Sequence, residues 1–454
     1  MKRKLGASEH ILWLASSKVP SHGVAVIEVS GSLTEAVLRE TFVFLQKRHP
    51  LLNVEIQLEN GEPKFVSVDR STLLLEIADR PEKHDWLQEV EEEINRLLPW
   101  PTGPLTRITW LKSANKQVLA IALHHAISDG ISTVYLVRDL LTIANDIMSG
   151  KTPNCQPLPE RSAIDEMLPE RYLNYRGQWV MTKEIVQQVL KHQTPQIIPA
   201  DIVPPTPGKS GIIYRVLSER ATNLLSTYCN REKTTANGAI TAMLLRAVAR
   251  KIDPKKEMAL SYFSPVNIRP WLETALSKEE LLYGSAGITM FQKVSTDLPF
   301  WQLAREIKVS LFDELQRKDG IFFVYPLQKK LLGKGDDPEK FTQMSKSFKP
   351  STFVSNFGKV PIPDRYGNLT LEGLHCFGSV NIISTPCLGV TVIEFKGVAE
   401  LSFTYTSGSI GKQVAESIVS DALSDLQQAL GIANRSDLLK INSNCTETSA
   451  VKLA

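Results

Sequence analysis

Two adjacent histidines, followed at fixed spacing by an aspartate and a glycine, carry the most reactive pattern in the chain: His124-His125-Ala126-Ile127-Ser128-Asp129-Gly130. An imidazole titrates near neutral pH, so a histidine at a strand-to-helix turn is well placed to act as a general base. In the run before it, Leu119, Ile121 and Leu123 share one face and Ala120 and Ala122 the other. The same two-residue period points His124 and His125 in opposite directions, so the two have different jobs. Asp129 either orients His125 or pins the local backbone. Ser128 or Asp129 suits the N-cap of a following helix, and Gly130 permits close backbone approach. Two blander readings compete. A histidine beside an apolar strand is often a satisfied core residue, and histidines with an aspartate can ligate a metal. The metal reading is the weaker, because the pair diverges and His10, His22, His49, His84, His192 and His375 are isolated.

The elements that must hold this motif are readable around it. Leu105 to Leu111 and Gln117 to His124 read as adjacent strands, and Asp129 to Met148 as an amphipathic helix stopped by Gly150. Upstream, Gly23 to Val29 reads as a strand. Ser32-Leu33-Thr34-Glu35 matches a capping box before a helix that ends near Arg48-His49-Pro50. Val54 to Leu58 and Lys64 to Val68 form a hairpin with Asn60-Gly61 near its turn, and Asp85 to Leu98 looks helical. Thr182 to His192 is helix-like between two proline-rich stretches, of which Thr194 to Pro207 is the stronger and marks the domain boundary. The second half shows strands at Ile212 to Leu217, Met258 to Val266, Phe353 to Phe357 and, as a pair, Gly389 to Tyr405. Its helices are Glu219 to Glu232, Thr235 to Ile252, Pro299 to Gln316 and Gly411 to Leu430. Alternation of this kind predicts a mixed α+β fold, with units at 1–193 and 194–433 and a loose tail at 434–454.

Bulk properties narrow the function classes. The chain has 454 residues, 43% hydrophobic and 22% charged, enough for several core layers without disulfides. Fifty-two basic and 49 acidic residues leave a net charge of +3, too balanced to imply nucleic acid or an anionic surface. Cys155, Cys229, Cys376, Cys387 and Cys445 are odd in number and scattered, as expected of reduced thiols in a cytoplasmic protein. After the basic start Met1-Lys2-Arg3-Lys4, the stretch Leu5 to Ser17 contains Glu9 and His10 and only a short apolar run, Ile11 to Ala15, so no secretory leader is expected, and no apolar run approaches the ~20 residues of a membrane span.

The string His-His-x-x-x-Asp-Gly at the end of an apolar strand resembles the signature of the condensation-domain superfamily. That group takes in peptide condensation domains, polyketide-associated acyltransferases, alcohol acetyltransferases and plant BAHD acyltransferases. Further matches run in order along the chain: Arg48-His49-Pro50-Leu51-Leu52, Gly103-Pro104-Leu105-Thr106-Arg107, Thr235-Ala236-Asn237-Gly238, Pro265-Val266-Asn267-Ile268-Arg269 and Ser355-Asn356-Phe357-Gly358. The last resembles a short motif of the acetyltransferase and polyketide-associated branches, and the set of matches together resembles enzymes of the phthiocerol/phthiodiolone dimycocerosyl transferase type. The BAHD string Asp-Phe-Gly-Trp-Gly is not matched.

The resemblance implies two chloramphenicol-acetyltransferase-like halves forming a V around a central tunnel, with donor and acceptor meeting at the second histidine, here His125. It implies that Asp129 is structural and paired with Arg269 across the halves, that His124 is structural, and that Gly130 N–H groups or Ser355 and Asn356 stabilise an oxyanion. A turn or bridging contact is the competing role for Ser355 and Asn356. The expected activity is O-acyl transfer from acyl-CoA or an acyl carrier protein, both phosphopantetheine thioesters, to a hydroxyl. No permanently bound cofactor or metal is expected, nor any catalytic cysteine. Amide formation on an amine acceptor and a non-catalytic carrier-docking domain are the alternatives. The short remainder after the last helix suggests a free-standing monomer. The basic stretch Lys330 to Lys349 is either a contact for an acidic carrier or coenzyme phosphates, or a solvated loop.

Overall fold

The structure, a computed structural model, describes residues 1–68, 73–79, 86–112, 117–173, 179, 194–203, 208–332 and 348–440. In the first half the strands are β1 (Lys2–Lys4), β2 (His22–Ser30), β3 (Val54–Glu59), β4 (Glu62–Ser67), β5 (Leu74–Asp79), β6 (Thr106–Lys112) and β7 (Gln117–His124). The helices are α1 (Ala7–Ser16), α2 (Glu35–Arg48), α3 (Trp86–Ile94) and α4 (Gly130–Met148). The second half adds β8 (Ser210–Val216), β9 (Met258–Asn267), β10 (Ser285–Val294), β11 (Thr352–Lys359), β12 (Arg365–Tyr366), β13 (Leu369–Gly378), β14 (Leu388–Phe395) and β15 (Val398–Thr406). Two six-stranded sheets result, ordered β12-β13-β2-β7-β6-β5 and β10-β9-β11-β14-β15-β8, beside a small β1-β4-β3 sheet. The architecture is therefore mixed α+β with two lobes.

Alternation along β7 explains how the first sheet is covered on both sides. Leu119, Ile121 and Leu123 pack with Leu38 and Phe42 of α2 and with Val134, Val137 and Leu141 of α4. Ala120 and Ala122 turn the other way, with Val24 and Val26, toward Trp86, Val90 and Ile94 of α3. Each large side chain fully buried contributes roughly 1.5–3 kcal/mol. The hairpin β3–β4 closes through Asn60 and Gly61, both at positive φ (52° and 78°), the conformation that two-residue hairpin turns require. α2 is capped by Thr34, whose hydroxyl accepts from the Val37 N–H, rather than by Ser32 as the capping-box spacing suggested.

Two features depart from the expected organisation. β13, from the second half, joins the first sheet and pairs with β2 along its whole length. The division at 193/194 therefore does not follow the sheets. Val24 to Ile27 are at most 2% exposed, and without β13 this apolar strand would be a bare sheet edge. The segment from Asn434 is also not loose at its start. Arg435–Leu438 forms a helical turn, Leu438 is fully buried, and the Lys440 N–H donates to the Val216 carbonyl. Residues 441–454, the helix expected at 182–192 and most of the Lys330 to Lys349 stretch lie outside the described residues.

The second lobe is built around the helix Ala236–Ile252. Ala239, Ile240, Met243, Leu244, Leu245 and Val248 are all fully buried between the sheet and the helices Phe300–Arg317 and Lys412–Ala429. Its start is fixed by Thr235, whose hydroxyl accepts from the Gly238 N–H at 3.1 Å. Among the described residues no helix is long and apolar enough to cross a membrane.

Candidate active site

β7 ends at His124, and the two histidines separate there. His124 is 1% exposed. Its Nδ1 accepts the Ala126 N–H at 3.0 Å, which places its proton on Nε2. Burial first, then the nearby His22 and His125, push its pKa down to about 3. His22, its cross-strand partner, donates from Nε2 to the Glu93 carbonyl at 2.9 Å and is pushed down to about 4 by burial. Both imidazoles are neutral parts of the layer under α3, where Arg107 pairs with Glu93 at 2.5 Å.

His125 lies just past the strand end and keeps part of its surface accessible. Its backbone N–H donates to the Ser21 carbonyl at 3.2 Å. Its Nδ1 faces the Ser128 carbonyl in a long 3.4 Å hydrogen bond, which assigns the proton to Nδ1 and the lone pair to Nε2. The Nε2 edge looks toward Gly23, where an added Cβ would stand 3.9 Å from it. Tyr283 approaches edge-on, ring centroids 6.3 Å apart. Burial lowers the His125 pKa below its ordinary 6.5, opposed by the Ser128 hydrogen bond and the Asp129 charge. The imidazole is neutral at pH 7 with a free lone pair, the state a base requires.

Asp129 does not reach His125 through a hydrogen bond. It caps α4, accepting from the Ser132 N–H at 2.9 Å and the Ser132 hydroxyl at 3.0 Å. It also accepts from Arg269 Nη1 at 2.6 Å, Arg269 Nη2 at 3.2 Å, the Gly284 N–H at 3.0 Å and the Ser285 hydroxyl at 3.1 Å. Arg269, Gly284 and Ser285 belong to the second half, so one buried carboxylate ties the motif loop to the other lobe. Arg269, at 3% exposure, further donates to the Leu282 carbonyl at 3.3 Å. A Cβ on Gly284 would lie 2.6 Å from the guanidinium carbon, so only glycine fits against this pair. Despite its burial, Asp129 is held below the ordinary carboxylate range by Arg269 and Ser132.

The Ser355-Asn356-Phe357-Gly358 string reaches the motif from β11. The β11–β14 register slips between Asn356 and Lys359, and Gly358 takes φ 63°. This bulge re-aims Phe357, whose ring fills the space above Gly130: a Cβ there would fall 1.9 Å from Phe357 Cε1. Asn356 Oδ1 accepts the Gly358 N–H at 2.8 Å, so its carbonyl is spent on the bulge. Ser355 is partly buried beside it. The first turn of α4 leaves the Gly130 and Ile131 N–H groups without intrahelical acceptors.

Several contacts around the site had no sequence signal. Arg48 donates to Asp139 and to Glu279 of the second half, each at 2.7 Å, while His49 Nε2 meets the same Asp139 at 3.1 Å. The Arg48-His49-Pro50 string thus anchors α2 to the other lobe. Arg138 also binds Glu279, and Arg161 binds Glu280. Cys229, Cys376 and Cys387 are pushed up to about 12 by burial, so their thiols stay protonated. Among the described residues no group of three or more His, Cys, Asp or Glu side chains is arranged to hold a metal ion.

Comparison with known proteins agrees with this arrangement. The family model "Condensation domain" matches residues 17–258, and "Phthiocerol/phthiodiolone dimycocerosyl transferase C-terminus" matches residues 212–386. The nonribosomal peptide synthetase kk1B of Curvularia clavata is 23% identical over 296 residues, which are 60% of this chain but 2% of that protein. The chain spans only a small part of the curated relatives it matches. Polyketide synthase associated protein 5 of Mycobacterium tuberculosis superimposes with a TM-score of 0.69 at 15% identity, covering 95% of this chain and 99% of that one. The TRI3 trichothecene 15-O-acetyltransferase of Fusarium sporotrichioides does so with 0.73 at 12% identity, covering 94% and 95%. With more than half its length matched by the family model and its motif histidines held at the junction of two such lobes, the chain belongs to the condensation-domain family.

Proposed function

We propose that this protein is an O-acyltransferase that moves an acyl group from a phosphopantetheine thioester, acyl-CoA or an acyl carrier protein, to a hydroxyl acceptor, with His125 as general base. The observation that carries this reading is the His125 imidazole, with Nδ1 turned to the Ser128 carbonyl and the Nε2 lone pair left toward the space over Gly23. As the hydroxyl oxygen attacks the thioester carbonyl, Nε2 takes its proton. When the tetrahedral adduct collapses, the C–S bond breaks and the imidazolium returns that proton to the departing thiolate. Every proton is accounted for without an acyl-enzyme, in keeping with thiols that stay protonated. The Gly130 and Ile131 N–H groups at the start of α4, with Ser355, are the donors offered to the oxyanion. Asp129 and Arg269 act on the chemistry only by fixing the loop, and His124 only by holding the strand end. Similarity to a dimycocerosyl transferase C-terminus and to a 15-O-acetyltransferase favours ester formation. The match to a nonribosomal peptide synthetase favours the amide alternative.

Purified protein given one acyl thioester with paired alcohol and amine acceptors separates these readings by mass spectrometry of the products. Ester is expected. Amide alone would transfer the reading to condensation. His125→Ala is expected to lower turnover by about 10²–10⁴-fold. Full turnover in that variant would remove the base assigned here.

A further inference from the structure

We propose that Gly23 and Gly378, paired across β2 and β13 beside His125, form a track without side chains that seats an unbranched chain of one substrate, and that Gly378 sets the width of chain the site accepts. The inference rests on the acyl-transfer reading and adds to it a determinant of substrate shape.

The two glycines are register partners, and on its other side Gly23 faces Leu123. Cross-strand partners project from the same face of a sheet, so this row looks toward the side on which His125 lies. An added Cβ on Gly23 would stand 3.4 Å from His125 Cε1 and 3.9 Å from Nε2, ordinary contact with the ring. An added Cβ on Gly378 would meet nothing within 4 Å. Both glycines keep partial exposure inside a sheet whose neighbouring strand residues are buried. The next row inward on the same face is Ala25 with Cys376, 1% and 7% exposed, so the open ground closes about 7 Å further along the strands.

Backbone conformation does not demand glycine at either place, since neither residue has a positive φ. Glycine inside a strand weakens it and commonly marks a close approach by another group. What the pair supplies here is room next to the Nε2 edge. The floor is the backbone of β2 and β13, and the closed end is the Ala25 methyl and the Cys376 thiol. Such a surface selects by width: a methylene chain fits, and a branched one meets the strands. That chain can come from the acyl donor or from the acceptor, and the two arms of the test distinguish them.

The test uses the full chain with Gly378→Ala and Gly378→Leu. One arm varies the donor, unbranched against methyl-branched acyl-CoA, with one alcohol. The other varies the alcohol in the same way with one donor. Gly378→Leu is expected to lower kcat/KM by about 10–100-fold for the longer chains of one series, with Gly378→Ala between it and the parent and the shortest accepted probe largely retained. The series affected names the source of the chain. Equal losses in both series down to the shortest probe, or no loss in either, would overturn the proposal.

A second measurement needs no turnover. Gly378→Cys is treated, folded, with methyl, n-hexyl and tert-butyl methanethiosulfonates and read by peptide mass spectrometry. The introduced thiol is expected to react with the unbranched reagents at least about tenfold faster than buried Cys376, and to disfavour the branched one more strongly than a free thiol in solution does. A silent thiol overturns the track even if acyl transfer stands. Full turnover by His125→Ala would remove the acyl-transfer reading and leave the labelling result unaffected.

Discussion

His125 and Asp129 sit four residues apart and depend on opposite conditions. His125 needs a bare lone pair and some access. Asp129 needs every oxygen occupied, and it has donors from Ser132, Arg269, Gly284 and Ser285. Removing one partner of a buried pair leaves an uncompensated charge, so Arg269→Met is expected to cost about 3–5 kcal/mol in denaturant unfolding. Asp129→Leu combined with Arg269→Met should recover much of that loss, because neither charge then stays behind. If the double variant is no more stable than the single, the pair is not what holds the two lobes at this point. For His125, the depressed pKa has a kinetic signature. kcat/KM should rise with pH as the imidazole loses its proton and level off below its ordinary 6.5. A limb centred above 6.5 would mean that the base is not this buried ring.

The N-terminus of α4 meets β11 through one ring on one glycine. Gly130→Ala would drive a methyl into Phe357, and overpacking of this kind costs roughly 1–3 kcal/mol. Phe357→Ala removes the ring and is expected to cost about 2–4 kcal/mol, since the ring is only partly buried. The two losses should not add, because the second variant makes room for the methyl of the first. Additive losses in urea melts would show that the bulge does not seat Phe357 on the helix start. The Thr235 cap of the helix Ala236–Ile252 offers a simpler case: Thr235→Ala is expected to lose about 0.5–2 kcal/mol without affecting the motif loop.

The lobes are also clasped on the far side of the first sheet, and this sets how stability varies with pH. His375 on β13 lies between Glu28 of β2, 3.1 Å from Nε2, and Glu400 of β15, 2.5 Å from Nδ1, with the Tyr214 hydroxyl at 2.9 Å and the Trp86 ring stacked at 4.6 Å. Burial opposes its charge, but the two carboxylates prevail and push its pKa up to about 9. A group with a raised folded pKa stabilises fully below its unfolded value near 6.5 and loses that contribution as pH rises through 9. His22 and His124, depressed to about 4 and 3, have the opposite sign: the unfolded chain takes up their protons first, so stability falls as pH drops below 6.5. The melting temperature should therefore peak near pH 6.5. The decline toward pH 9, on the order of 2–3 kcal/mol, should vanish in His375→Gln, whose overall stability is lower. An unchanged alkaline decline in that variant would assign it to other groups.

Local sequence carried the strand that ends in His124, the helix that begins after Asp129, the helix read at Thr235 to Ile252 and the Asn60-Gly61 turn, because each is decided by periodicity or hydrogen bonds within a few residues. It also placed Asp129 with Arg269, through resemblance rather than through any local rule. It gave no hint that β13 would cross to cover β2, that Phe357 would sit on Gly130, that Gly284 and Ser285 would complete the Asp129 shell, or that two glycines from distant strands would lie beside His125. Those contacts join segments 100 to 350 residues apart. Their partners are chosen by which pairing buries the most apolar edge and leaves the fewest buried polar groups unsatisfied. That sum runs over the whole chain, and no short window contains it.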